Sequence, residues 1–188
     1  MEALFKKFGL YTVDPDYLRC VRAVDQEVDY IDDARHDHKP FLGIVASLGG
    51  HDYFVPLTSS KEKHISWRNS THEHLIVSAV IDRGDLVPGD IYRDRPGDQV
   101  EKIYSVLDYR KMIPIPKGVY NLIDFNKEPD RRYATLLMKE YLFCKAKQDV
   151  ILQRLSKLYT KQIETGHVFQ YYCDFKKLEA FCDLYTNE

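Results

Sequence analysis

Six chemically active side chains fall within seven positions of this chain: Thr58, Ser59, Ser60, Lys61, Lys63 and His64. Three hydroxyls, two ammoniums and one titratable imidazole suit a ligand built of anionic oxygens, of which phosphate is the commonest biological example. The residues before them say how they would be held. From Gly43 the chain reads as a strand through Val45 and Ser47, then a tight reversal at Gly49-Gly50. A return strand from Asp52 to Leu57 follows, so the polar cluster sits at the end of a hairpin. Composition alone also allows a plain solvated turn, since loops are usually polar.

Other residue types widen the chemistry. Fourteen tyrosines against nine phenylalanines and one tryptophan offer flat faces with polar tips, useful for stacking unpaired bases and for hydrogen bonds to phosphate. His36-x-His38 and His72-x-His74 have strand-like spacing, with Asp32, Asp33 and Asp37 near the first pair. Neither an H-E-x-x-H motif nor a Cys/His framework accompanies them, so no metal is expected. Cys20, Cys144, Cys173 and Cys182 lie far apart, which suits buried thiols in a reduced, cytoplasmic protein. No apolar run is long enough to span a bilayer, and Met1–Lys7 lacks the apolar stretch of a secretory signal.

The net charge is −2, but it is unevenly spread. Asp14–Asp37 carries eight acidic residues and three arginines, whereas Lys127–Lys161 carries nine basic residues and four acidic ones. A polyanion needs one basic face rather than a basic average. Amphipathic helices with lysines on their wet side would give the same count.

The elements that must position these groups are read from periodicity. Leu10–Val13 reads as a strand ended by Asp14-Pro15-Asp16. Tyr17 to Val28 reads as a short amphipathic helix, and Asp29–His38 as a loop. Beyond the hairpin, His74–Ile81 and Tyr104–Leu107 are strand candidates. Asp85–Gly97, with two prolines and two glycines, reads as an exposed insertion or flap. The proline-containing Lys111–Ile115 and the short Tyr120–Ile123 suit edge strands or barrel corners. Pro129-Asp130 starts a helical third whose apolar stripe runs through Tyr159, Gly166 breaks it, and Asp174 opens a last helix. The expected architecture is α+β: a single domain over residues 1–188, with a twisted, partly barrel-like antiparallel sheet packed against C-terminal helices.

Taken in order, Tyr11 and Tyr17 in L-Y-T-V-D-P-D-Y-L, Lys39–Val45, His51–His64, Met112–Ile115 and Leu122–Asp124 resemble the ToxN/AbiQ family. These are the endoribonuclease toxins of type III toxin–antitoxin systems. The sharpest motif is Tyr-x-x-Pro-Leu-Thr-Ser-x-Lys, here Tyr53 to Lys61. Ser60 stands where the pattern often has proline, and residues 65–109 look like a family-variable insertion. The resemblance implies a Kid/MazF-like fold and sequence-selective cleavage of single-stranded RNA, cellular or phage mRNA, without metal or other cofactor. It implies as partner a small antitoxin RNA, pseudoknot-like and cut from tandem repeats, in a closed toxin–RNA hetero-oligomer away from any membrane.

On that reading the substrate's own 2′-hydroxyl attacks phosphorus, the 5′-oxygen leaves, and a 2′,3′-cyclic phosphate results. Lys61 would stabilise the extra negative charge, Thr58 and Ser59 would donate to the same phosphate, and the resemblance adds Lys39 as a second cation. Tyr53 could orient the 2′-hydroxyl or a phosphate; Tyr11 and Tyr17 could stack or position; each of the three could equally be core. His64 has the best unperturbed pKa for acid–base work, or is simply surface, and it joins Lys63, Arg131 and Arg132 as an RNA contact. A non-catalytic RNA-binding regulator and a protein-interaction domain are the competing functions.

Overall fold

The structure is a computed structural model and describes residues 8–31, 39–43 and 47–185. Its elements are β1 (Gly9–Val13), α1 (Pro15–Val24), β2 (Phe41–Gly43), β3 (Ser47–Leu48), β4 (His51–Ser59), β5 (His74–Asp82), β6 (Ile91–Asp94) and β7 (Gln99–Asp108). Then follow β8 (Ile113–Pro114), β9 (Tyr120–Leu122), α2 (Arg131–Ala146), α3 (Gln148–Thr165) and α4 (Phe175–Tyr185). Short 3-10 turns occupy Glu62–Ser66, Arg83–Asp85 and Tyr109–Lys111. The expected antiparallel sheet with C-terminal helices is present. Among the described residues the sheet is open: its main path runs β5-β7-β4-β2-β1-β9.

β4 organises this sheet. Its first two residues pair with β3, Tyr53-Phe54 with β8, Val55-Pro56 with β2, and Leu57–Ser59 with β7. The expected reversal before it is a two-residue turn in which Gly49 and Gly50 both take positive φ, 58° and 89°. That handedness matches strand twist and favours glycine. Gly49 is doubly constrained, since a Cβ there would meet the Tyr159 hydroxyl. Alternation along β4 puts Tyr53 and Phe54 on opposite faces. Tyr53 packs edge-on against Tyr159 of α3 and Phe175 of α4, while Phe54 packs with Tyr11 and Tyr120.

Four expectations change in detail. α1 stops at Val24 rather than Val28, because Asp25 is extended and the Arg22 guanidinium takes the carbonyls of Gln26 and Val28. The strand read at Tyr104–Leu107 is ten residues long and begins at Gln99. Its charged start is tolerated because Glu101, though buried, accepts hydrogen bonds from Asn69, Ser78 and Arg95. Inside the expected flap, Ile91–Asp94 is β6, paired with Val100–Ile103 of β7. In the helical third, the continuous stripe is two helices joined at Lys147, and Gly166 at φ 65° ends the second as expected. Asp130 caps α2 by accepting from the N–H groups of Arg132 and Tyr133. α2 also buries Glu140, whose carboxyl is pushed up to about 7 by that burial. Among the described residues no helix is long and apolar enough to cross a membrane.

Candidate active site

Asp29, which no motif singled out, ties the polar end of the hairpin together. It lies between buried Val28 and Tyr30, so its backbone has little freedom. Its Oδ2 accepts from the Lys39 ammonium at 2.5 Å and from the Thr58 hydroxyl at 2.8 Å. Burial alone would raise the Asp29 pKa. The Lys39 charge and the hydrogen bonds from Lys39 and Thr58 outweigh it and hold the carboxyl below its ordinary value. The Lys39 side chain is only 9% exposed. Burial lowers its pKa, Asp29 offsets part of that, and the nearby charge of Lys61 lowers it further. Lys39 and Lys61, 22 positions apart in sequence, therefore share one electrostatic neighbourhood.

Ser59 ends β4 exposed, opposite Ser105 of β7. Lys61 follows, also exposed, and among the described residues its ammonium has no carboxylate partner. Its backbone is held instead. The Lys61 N–H donates to His64 Nδ1 at 3.0 Å, and the His64 N–H donates to the Lys61 carbonyl at 2.8 Å. His64 is 2% exposed and packs edge-on against Trp67. Burial and the charges of Lys63 and Lys61 push its imidazole down to about 4. At neutral pH it is uncharged, with Nδ1 committed to the Lys61 N–H, so it serves as a structural acceptor. Arg93 of β6 completes the frame by donating to the carbonyls of His64, Ile65 and Trp67 at 2.8, 2.8 and 2.6 Å. Lys63 lies over the Trp67 ring.

The other candidates lie elsewhere. The Tyr53 hydroxyl points to the helical face and donates to Glu179 Oε1 at 2.9 Å, sharing that oxygen with Tyr159. Burial, then the Glu179 charge, raises its phenol far above its ordinary value. Tyr17 is fully buried against Phe181 and Tyr185, and its hydroxyl donates to the Pro114 carbonyl at 2.7 Å. Tyr11 is buried between Phe54 and Tyr120. Arg131 and Arg132 are exposed on the first turn of α2, with no contact to Asp29 or Lys39 among the described residues. His36 and His38 lie outside the described residues. His74 has both ring nitrogens engaged, with Thr71 Oγ1 and the Arg68 carbonyl, so it offers nothing to a metal. Among the described residues no group of three or more His, Cys, Asp or Glu is placed to hold one.

The Thr58 hydroxyl spends its proton on Asp29 and so is not free to donate to a phosphate as expected; the exposed Ser59 hydroxyl and the Lys39 and Lys61 ammoniums are the groups here whose chemistry suits an anionic oxygen ligand. Comparison with known proteins gives this geometry a family. The family model described as Toxin ToxN, type III toxin–antitoxin system, matches residues 9–183. An "Endoribonuclease ToxN" of Bacillus thuringiensis subsp. kurstaki is 29% identical over 184 residues, covering 93% of this chain and 82% of the relative. Another, of Pectobacterium atrosepticum, is 26% identical over 170 residues, covering 90% and 88%. A solved type III toxin, reported with its selective inhibition by a non-coding RNA pseudoknot, superposes with a TM-score of 0.70 at 28% identity, covering 95% of this chain and 98% of that one. The chain belongs to the ToxN family of type III toxin–antitoxin toxins.

Proposed function

We propose that this chain is an endoribonuclease toxin that cleaves single-stranded RNA at the Lys39–Thr58–Ser59–Lys61 cluster and is restrained by a small structured antitoxin RNA. The observation that carries the reading is Asp29 holding both Lys39 and Thr58 at the end of β4, within electrostatic reach of exposed Lys61. In the reaction the 2′-hydroxyl gives its proton to a solvent water as its oxygen bonds to phosphorus, and the bond to the 5′-oxygen breaks. Lys61, exposed and without a carboxylate partner among the described residues, stabilises the charge that builds on the non-bridging oxygens. Ser59 donates its hydroxyl to the same group. Lys39, whose pKa is lowered, gives the departing 5′-oxygen its proton. Asp29, ionised and doubly hydrogen-bonded, orients Lys39 and Thr58. The products are a 2′,3′-cyclic phosphate and a 5′-hydroxyl.

The pseudoknot partner comes to this chain from a solved relative, and the closed toxin–RNA assembly from the family resemblance alone. Free thiols at Cys20, Cys144, Cys173 and Cys182 suit the reducing cytoplasm. The test is cleavage of single-stranded RNA by the purified protein. Cyclic-phosphate ends that vanish in Lys61→Ala and Lys39→Ala are expected. RNA left intact by the wild type would make the chain a non-catalytic RNA binder. Growth arrest on expression without antitoxin, relieved by Lys61→Ala, is the parallel expectation in cells.

A further inference from the structure

A groove of about 610 Å³ opens beside α3, between that helix, the His72–Glu73 corner and the segment 169–172. Its size lies within the roughly 300–1,000 Å³ range of small-ligand sites. Arg154, Lys157 and Lys161 line it from one face of α3, at i, i+3 and i+7, so their stems are spread over about 10 Å of helix. Lys157 and Lys161 have no carboxylate partner among the described residues. Glu73, the acidic group in the lining, already accepts from the Tyr172 hydroxyl at 2.6 Å. Arg154 also donates to the Thr71 carbonyl, and the groove thus carries three cations against one carboxylate.

The opposite wall is aromatic. Tyr171 is 58% exposed and Phe169 38%, and Lys161 lies 4.7 Å from the Phe169 ring centroid. Tyr171 is the one described non-glycine residue with positive φ, at 69°. A bulky side chain is strained in that region, so its outward placement is maintained against a backbone cost. The wall is also rigid. Buried Gln162 donates to the Cys173 carbonyl and accepts from the Phe175 N–H, and the Cys173 N–H donates to the Arg110 carbonyl. That chain of contacts leads to the candidate site. Asp108 pairs with Arg110 through both oxygens and lies within electrostatic reach of Lys39 and His64 on one side and Tyr172 on the other.

We propose that this groove is a second RNA site, binding a single-stranded stretch of RNA with a base stacked on Tyr171 and Phe169 and adjacent phosphates held by Arg154, Lys157 and Lys161. An acidic peptide would use the cations but has no use for two flat, exposed rings; unpaired nucleotides use both. The inference rests on the ribonuclease reading above.

The test measures binding of the full chain to a fluorescein-labelled single-stranded RNA carrying 2′-methoxy groups, which lacks the nucleophile. Tyr171→Ala is expected to weaken binding about 5- to 150-fold with an unchanged salt slope, and Tyr171→Phe to restore it. Lys157→Glu combined with Lys161→Glu should flatten the slope of log affinity against log salt by about 1.4. Wild-type affinity and slope in both folded variants, checked by circular dichroism, would overturn the groove. So would polyglutamate displacing the RNA equally from wild type and Tyr171→Ala, which would mark a charge-only site for an acidic protein. Cleavage of unmodified RNA, measured alongside, separates the two readings. Cleavage lost in Lys61→Ala with the groove variants binding normally overturns the groove alone, whereas a wild type that neither binds nor cleaves RNA overturns both.

Discussion

Asp29 shows how a single carboxylate can decide what two other residues do. Removing it in Asp29→Ala leaves the Lys39 ammonium buried without its partner and frees the Thr58 rotamer. A lost hydrogen bond to a charged group typically costs about 1.5–3 kcal/mol. The unfolding free energy in urea should fall by roughly that amount, and RNA cleavage by at least about tenfold; unchanged cleavage would remove Asp29 from the site. His64 makes a second prediction at this scale. Its folded pKa of about 4 lies below the ordinary 6.5, so the unfolded chain takes up a proton first as pH falls. The contribution of His64 to stability is complete above about 6.5 and is lost toward pH 4. His64→Asn keeps an acceptor for the Lys61 N–H but cannot titrate, so its urea midpoint should vary less across that window; equal pH dependence would be against this account. Thr58, Ser59 and Lys61 are legible as candidates because they are adjacent in sequence. Asp29 is not, since its partners lie 10 and 29 positions away. The tyrosines mislead for a related reason: a sequence names Tyr11, Tyr17 and Tyr53 but does not reveal which way their hydroxyls turn, and those of Tyr17 and Tyr53 are taken by Pro114 and Glu179.

β6 was hidden by its flanks. Pro88, Gly89, Pro96 and Gly97 punctuate the segment so strongly that the six residues between them read as part of a loop. Yet β6 carries Arg93, whose guanidinium gathers three carbonyls of the turn just after Lys61. Residues 65–109, read as a family-variable insertion, thus supply both the β4-pairing strand β7 and this clamp. Arg93→Ala should loosen the 62–66 turn while leaving the core intact, since Arg93 is only partly buried and lies at its margin. Trp67, the single tryptophan, sits in the clamped segment and reports on it directly. Its emission is expected to shift to the red in Arg93→Ala, with kcat for RNA reduced about tenfold or more. An unchanged spectrum with unchanged kcat would show that the clamp is dispensable. The break between α2 and α3 was illegible for another reason: an apolar stripe continues across Lys147, so periodicity alone cannot separate one long helix from two.

Across the whole molecule, burial places Glu140 against the trend set by His64. The unfolded chain ionises this carboxyl above about 4.5, whereas the native chain keeps its proton until about 7. Its contribution is therefore full below about 4.5 and is lost as pH rises to about 7. Glu140→Gln should raise the thermal midpoint at pH 8 and change it little at pH 4.5, as read by differential scanning calorimetry; a gain of equal size at both pH values would assign the effect to packing rather than ionisation.

The four-partner strand β4 has a consequence for the timing of synthesis. Thr58 and Ser59 are framed by Val106 and Ser105, which leave the ribosome nearly fifty residues later, and Tyr53-Phe54 waits longer still for Ile113-Pro114. At about 5–20 residues per second, that separates making the proposed phosphate-binding residues from framing them by roughly 2–10 s. A ribonuclease whose working end stays unassembled until the chain is more than half made cannot cut RNA during those seconds, and the antitoxin RNA proposed for it gains that time to be in place.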